Sequence, residues 1–296
     1  MGKFKLTLTS LLLIYSLAAS AQSDSLRYRI KQIALNAKGV VGFAMLNIEG
    51  RDTLSYNGRL HLPMQSVMKF PIAITVLHQV DKGDLSLDQL IPITKSDLPK
   101  TYSPLRDKFP EGNVNISIKD LLSYMVSLSD NNACDILLKL LGGTIVVDDY
   151  MHSFGIKQIA IKATEFEMAQ NWEAQYTNWV EPKEMVRLLD IVTKPAIFSK
   201  SSKDYLWQLM EATSTGPKQI KGLLPEYIKV AHKTGRSSTN EKGVTAATND
   251  VGVITLPNGK HLAIAVFITN STADLGTRES VIAQIAKSVY DAEVNK

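Results

Sequence analysis

Strand-type patterning lies at both ends of this 296-residue chain, and helix-type patterning lies between them. Val40 to Leu46 is rich in β-formers. Turn residues occupy Asn47 to Asp52, and Thr53-Leu54-Ser55-Tyr56 alternates before stopping at Asn57-Gly58. Together these read as a hairpin. Near the other end, Tyr227 to Lys233, Thr248 to Leu256 and His261 to Ile268 read as strands, with Pro257-Asn258-Gly259-Lys260 as the turn between the last two. If the early hairpin and the late strands share one sheet, the two ends of the chain meet. The middle then becomes a helical lobe inserted into an α/β lobe. The expected fold class is therefore α/β (α+β), an antiparallel sheet flanked by helices plus an all-helical lobe. The α/β lobe would come from about 22–62 and 213–296 and the helical lobe from about 63–212, with the site at the seam.

The helical pattern supports that division. Ser23 or Asp24 caps an expected helix to about Asn36. A long apolar helix follows Ser66 and ends near Lys82-Gly83, with glycine as its stop. Residues 84–115 carry Pro92, Pro99, Pro104 and Pro110 and read as loop. Ile116 begins a further helical stretch that Ser127 to Asn132 interrupts and that resumes to Leu141. Thr144 to Phe154, Glu181 to Val192, Lys200 to Met210 and Gly276 to Tyr290 read as helices, while 162–180 is polar, aromatic and poorly periodic.

The first 21 residues read as a targeting signal. Lys3 and Lys5 form a positive start, Leu6 to Leu17 is mostly apolar, and Ala19-Ser20-Ala21 fits a small-x-small cleavage site. The expectation is an exported, periplasmic protein cleaved after Ala21, with no stable membrane span. Basic residues number 33 and acidic residues 29; without Lys3 and Lys5 the balance is 31 against 29, a net of +2. A balance this small and evenly spread gives no argument for nucleic acid, and none is expected as a partner. The one cysteine, Cys134, allows no internal disulfide and reads as a buried apolar residue. The five histidines have no metal-ligand spacing, so neither metal nor cofactor is expected. His232 reads as structural, and the oligomeric expectation is a monomer.

Three short motifs carry chemistry. Ser66 and Lys69 are three residues apart at a helix start, which stacks them on one face one turn apart. Backbone N–H groups there are unpaired within the helix and can hold negative charge. A desolvated lysine at that spacing can activate the hydroxyl, which makes Ser66 a candidate nucleophile. Ser129-Asp130-Asn131 falls where the helical middle breaks and can aim a hydroxyl and an amide at a cleft. Lys233-Thr234-Gly235 ends the first late strand, and its glycine lets a ligand approach the backbone. They occur in this order, with gaps of 63 and 104 residues.

Ser-x-x-Lys, Ser-Asp-Asn and Lys-Thr-Gly together resemble the class A serine β-lactamases and the penicillin-binding proteins. The resemblance to class A enzymes spans about residues 24–292 and is nearest to the extended-spectrum branch of PER, VEB and CfxA type. It rests on His61 to Lys69, Ser129 to Asp135, Thr164-Glu165, Tyr176 to Trp179 and Ala247 to Gly252. It implies a β-lactamase/transpeptidase-like fold and a β-lactam substrate, cephalosporins and extended-spectrum ones included. Ser66 would attack the carbonyl and Lys69 would help take its proton. Ser129 would relay a proton to the ring nitrogen, and Asn131 would bind the acylamino group. Lys233, Thr234 and Gly235 would line the carboxylate subsite, and the N–H groups of Ser66 and Arg236 would hold the oxyanion. Tyr102 would wall the cleft. Glu165 would be the base for the deacylating water, which separates a β-lactamase from a penicillin-binding DD-peptidase or a non-catalytic sensor module. Clavulanate-type inhibitors would bind.

The sequence departs from the family pattern at four places. Ala169 stands where an asparagine helps hold the water, leaving Asn171 or backbone for that task. Asn178 stands where an aspartate commonly pins the Ω-loop. Gln219 stands where relatives have a carboxylate-binding arginine, which points to Arg236, with Lys218, as the replacement charge. Met68 beside the nucleophile is not cysteine, which argues against strong carbapenem hydrolysis.

Overall fold

The computed structural model describes residues 24–194 and 196–296. The proposed signal segment, 1–21, lies outside them. The chain opens with α1, helical over 24–35, then β1 (Val40–Asn47), β2 (Thr53–Tyr56) and the short β3 (Leu62–Pro63). A 3₁₀ turn, Gln65–Met68, runs straight into α2 (Lys69–Lys82). Next come β4 (Leu90–Thr94), α3 (Pro104–Lys108), β5 (Gly112–Ser117), α4 (Ile118–Ser127), α5 (Asn131–Leu141) and α6 (Thr144–Ser153). After β6 (Ile159–Ala160), the one-turn α7 (Glu165–Met168) and β7 (Trp179–Val180) come α8 (Pro182–Thr193) and α9 (Lys200–Glu211). The chain closes with β8 (Val230–Arg236), β9 (Thr245–Thr255), β10 (His261–Ser271) and α10 (Leu275–Val294).

The two ends do meet. The main sheet runs β2-β1-β10-β9-β8, antiparallel throughout, with Val40 opposite Thr269 and Asn47 opposite Leu262 where first and last strands pair. Both faces are covered, so both phases of the alternation are apolar. Phe43, Met45, Leu262, Ile264, Val266 and Ile268 pack toward α1 and α10 with Ile30, Ile282, Ile285 and Val289. Ala44, Leu46, Ala263, Ala265 and Phe267 face the other way, onto the core that includes Met185, Leu188 and Leu189 of α8. That second core continues through α2, where Phe70, Ile72, Ala73, Ile74, Val76 and Leu77 are fully buried. A helix apolar on every side belongs inside the protein, and burying each large side chain contributes about 2 kcal/mol. Gly83, in the left-handed region at φ 82°, ends α2.

Three elements differ from the sequence expectation. Residues 84–115 are not all loop: β4 pairs antiparallel with β5, Leu90 opposite Ser117. Pro92 sits within this two-stranded ribbon, where a missing N–H is tolerated on an open edge. Ile116 and Ser117 belong to that ribbon, and α4 begins at Ile118 with the Ser117 hydroxyl accepting from Asp120 N. Lys233-Thr234-Gly235 lies inside β8 rather than at its end, because β8 continues to Arg236.

Candidate active site

The site forms where α2, the α4–α5 junction, the 163–179 stretch and the edge strand β8 converge. The 3₁₀ turn aims Ser66. Gln65, just before it, has φ 49°, an uncommon conformation for a side-chain-bearing residue and the kind of backbone strain that gathers at functional sites. Two contacts fix the turn against the sheet. Asn249 of β9 donates to Pro63 O at 2.7 Å and to Met64 O at 3.1 Å. Gly235 lies so close that an added Cβ would sit 2.4 Å from Met64 O and 3.1 Å from Val67 N. Only glycine permits that approach, which is the physical content of the third motif.

Lys69 is fully buried at the start of α2. Its Nζ lies 2.9 Å from Ser66 Oγ, 2.9 Å from Ser129 O, 2.7 Å from Asn131 Oδ1 and 2.6 Å from Glu165 Oε1. Ser66 Oγ in turn donates to Glu165 Oε1 at 3.2 Å. The hydroxyl is therefore held between the buried side chains of Lys69 and Glu165, where electrostatic interactions are strong.

Ser129 is set by its own backbone, φ 59°, between α4 and α5. Asp130 is fully buried and caps α5 by accepting from Ala133 N at 2.9 Å; it also accepts from Leu105 N at 2.6 Å and from the Ser103 hydroxyl. The Ser-Asp-Asn turn is thus a cap and a brace, with the residues on either side of the aspartate turned to the site. Asn131 Nδ2 donates to Thr101 Oγ1 at 2.8 Å, and its N–H donates to Tyr102 O at 3.1 Å. Lys233, also fully buried, donates from Nζ to Ser129 Oγ at 2.8 Å and to Thr234 O at 3.0 Å. Burial, reinforced by repulsion from Lys69, lowers its pKa to about 7. Thr234 Oγ1 lies 2.6 Å from Thr215 Oγ1.

Glu165 opens α7. Thr164 and Glu167 form a capping box around it, Thr164 accepting from Glu167 N and Glu167 Oε2 accepting from Thr164 N. That occupies Glu167, leaving Glu165, which is buried, as the carboxylate in the site. Asp135 adds a second anchor. It accepts from Glu165 N at 2.8 Å and from Phe166 N at 2.9 Å. Burial raises its pKa to about 6 despite those two bonds. Asn178, fully buried, closes the neck of the loop by accepting from Lys162 N at 2.7 Å and Ala163 N at 2.9 Å and donating to Ala163 O at 2.7 Å. A neutral amide bridges here by hydrogen bonds alone.

Ser66, Lys69, Ser129, Asn131, Glu165, Lys233, Thr234 and Gly235 thus come together. Arg236 is exposed at the end of β8, and Tyr102 reaches the cluster through its carbonyl, its side chain standing 57% exposed. Asn171 Oδ1 accepts from Ala174 N within its own loop. Cys134 is fully buried. His232 is buried with Nδ1 2.9 Å from Asp250, a structural pairing. Two contributors escaped sequence reasoning. Asp135 carried a signal, since it lies one turn beyond Asn131 on the same helix face; Thr215 carried none. Among the described residues no cluster suited to a metal ion occurs.

A serine flanked by a buried lysine and a buried carboxylate, beside the edge strand of an antiparallel sheet, is an arrangement that can carry acyl transfer through the serine. The comparisons agree with that class. The model of the β-lactamase enzyme family matches residues 25–292. The chain is 45% identical to β-lactamase VEB-1 of Pseudomonas aeruginosa over 287 residues, covering 96% of this chain and 94% of the relative. It is 39% identical to the extended-spectrum β-lactamase PER-1 of the same organism, covering 99% and 96%. A crystal structure of a β-lactamase from Chitinophaga pinensis superposes with a TM-score of 0.89 at 50% identity, covering 91% and 99%. The chain belongs to the class A serine β-lactamase family, in the neighbourhood of the extended-spectrum enzymes.

Proposed function

We propose that this chain hydrolyses β-lactam antibiotics through an acyl-serine intermediate and so confers resistance, with cephalosporins, extended-spectrum ones included, among its substrates. The observation that carries the proposal is the hydroxyl of Ser66 held between Lys69 Nζ and Glu165 Oε1. Lys69, 2.9 Å from the hydroxyl, helps take the serine proton on attack, and the Glu165 carboxylate takes a proton from the deacylating water. Lys69 orients the hydroxyl and balances the carboxylate. As the carbonyl is attacked, the N–H groups of Ser66 and Arg236 receive the oxyanion, each worth about 3 kcal/mol in the transition state. The proton reaches the departing ring nitrogen through Ser129, whose Oγ is held by Lys233. Lys233, Thr234 and Gly235 bind the substrate carboxylate with the charge of Arg236 and Lys218 nearby, Asn131 binds the acylamino group, and Tyr102 walls the cleft.

The same reading takes the protein as exported, cleaved after Ala21, periplasmic and monomeric, and as a target of clavulanate-type inhibitors. The signal-like first 21 residues support export, and no helix among the described residues is long and apolar enough to cross a membrane. Lobes of 22–62 with 213–296 and of 63–212 would meet at the site. The test is the time course of a chromogenic cephalosporin with wild type and with Glu165→Gln, followed by intact-mass spectrometry. Many turnovers by wild type and a mass adduct on Ser66 in the variant are expected. A single-turnover burst with a stable adduct in the wild type would overturn the reading in favour of a penicillin-binding protein or sensor.

A further inference from the structure

The 3₁₀ turn Glu173–Tyr176 and the two residues after it form an arm that runs beside the chain leading into Ser66. Met64 N donates to Asn178 O at 2.9 Å, and Gln65 Nε2 donates to Gln175 O at 3.4 Å. Gln65 is buried and holds the uncommon φ of 49°. From its other side the same turn is held by Asn249, which donates to Pro63 O and Met64 O. Asn249 Oδ1 accepts in turn from Ile268 N of β10 at 3.3 Å. Two residues further along β10, Asn270 Oδ1 accepts from the Tyr176 hydroxyl. The bonds close a ring. It runs from β10 through Asn249 to the nucleophile's turn, on to the 173–178 arm, and back through Tyr176 to β10.

The link between Tyr176 and Asn270 is built rather than incidental. Asn270 has φ 51°, and the register with β9 passes over it, Thr269 lying opposite Ala247 and Ser271 opposite Thr245. Asparagine adopts this left-handed backbone more readily than most residues with side chains. Like that of Gln65, it is the kind of backbone that gathers at functional sites. Trp172 packs edge-on against the Tyr176 ring, with centroids 6.3 Å apart, and so directs its hydroxyl. Asn270 is exposed, so the bond competes with water and adds little to overall stability. Glu165 is held by other means, from α5 through Asp135 and by the Thr164–Glu167 capping box. The ring therefore bears on Ser66 and not on Glu165.

We propose that Tyr176 is a positioning residue for the nucleophile. Its bond to Asn270 latches the 173–178 arm across the end of the sheet, and the arm holds Met64 and Gln65 and so the aim of Ser66. The inference rests on the reading that Ser66 is acylated by β-lactams. With the latch open, the turn gains freedom, the hydroxyl is correctly aimed for a smaller share of the time, and acylation slows. Deacylation, which depends on Glu165, keeps its rate.

The test is a single-turnover experiment with a chromogenic cephalosporin. The colour change reads ring opening, and intact-mass spectrometry reads the decay of the adduct on Ser66. The variants are Tyr176→Phe, Asn270→Gly, their double, and Asn270→Asp. Glycine suits the φ of Asn270 and removes the acceptor, while aspartate keeps an acceptor oxygen. Ring opening is expected to slow about fivefold in Tyr176→Phe and in Asn270→Gly, the worth of one net hydrogen bond. The double variant should be no slower than either, because each breaks the same bond, and Asn270→Asp should recover most of the rate. Adduct decay should stay within twofold of wild type. Ring opening unchanged within twofold would overturn the proposal. So would losses that multiply in the double variant, or a decay that slows in step with ring opening, since that marks a general loosening of the site. Hydrogen exchange reads the latch without substrate: residues 60–70 and 171–179 should exchange faster in Tyr176→Phe while 163–169 does not, and unchanged exchange in 60–70 would overturn it. If the wild-type adduct does not decay, the hydrolytic reading falls and the rate of ring opening still decides the latch. If wild type forms no adduct at all, the acylation reading falls and hydrogen exchange decides the latch.

Discussion

Replacing Asp135 by asparagine should change how stability responds to pH, in a direction that burial fixes. The carboxyl accepts two backbone N–H groups, at 2.8 and 2.9 Å, which favours the ionised form. Burial opposes this and wins, raising the pKa from 3.8 to about 6. The folded chain therefore binds this proton more tightly than the unfolded chain. Between about pH 4 and pH 6 folding takes up a proton, so stability falls as pH rises through that window and is level above it. The gap between the two pKa values corresponds to ~3 kcal/mol, a sizeable part of the 5–15 kcal/mol typical of a domain. Asp135→Asn keeps an acceptor oxygen and does not ionise, so this contribution disappears from its pH curve. Urea denaturation followed by tryptophan fluorescence from pH 4 to pH 7.5 measures both proteins. The variant is expected to gain on wild type by up to about 3 kcal/mol between pH 4 and pH 7. A constant difference, or a wild type that gains on the variant as pH rises, would refute the reasoning, because it would mean the two N–H bonds outweigh burial. A charge retained at such a cost makes sense where it places Glu165, since strained or costly groups concentrate at functional sites.

Other perturbations probe the rest of the site. With its pKa lowered to about 7, Lys233 loses its charge in the folded protein as pH rises through neutrality. kcat/KM should fall on the alkaline side near that value, and Lys233→Arg should move the limb upward; a limb that stays put would show that another group titrates. Asn178→Ala strands Lys162 N, Ala163 N and Ala163 O in a buried neck. The loss should be about 3 kcal/mol, or a melting temperature lower by about 8 °C; a shift under 2 °C in a thermal scan would count against the bridging role. Arg236→Ala should raise KM severalfold for carboxylate-bearing β-lactams, and an unchanged KM would place that charge outside the subsite.

What the sequence made legible follows the range over which each signal acts. The meeting of the chain ends was readable because period-two alternation and turn chemistry are local, and burial on both faces of β1 and β10 makes them strongly apolar. Ser66 and Lys69 were readable as a pair because helical spacing alone brings them together. The β4–β5 ribbon was hidden because its prolines mimic loop, and only an open-edged pairing tolerates Pro92. The placing of Lys-Thr-Gly was misread by a few residues because glycine weakens a strand signal, whereas here Gly235 continues β8 to let Met64 O approach. Asp135 and Thr215 were missed for a different reason: their partners lie 30 and 19 residues away, at Glu165 and Thr234. Such contacts exist only once the chain has folded and brought distant segments together. Ser66 and Lys69 were therefore marked by local spacing and Glu165 by the family resemblance, while the groups that hold them were not. Asp135 joins the two sets, since one carboxylate fixes the backbone of Glu165, the proposed base, and of the residue that follows it. A change at Asp135 should then slow deacylation through Glu165 as well as alter the pH response of stability, and a variant with unchanged turnover would show that Glu165 is placed without it.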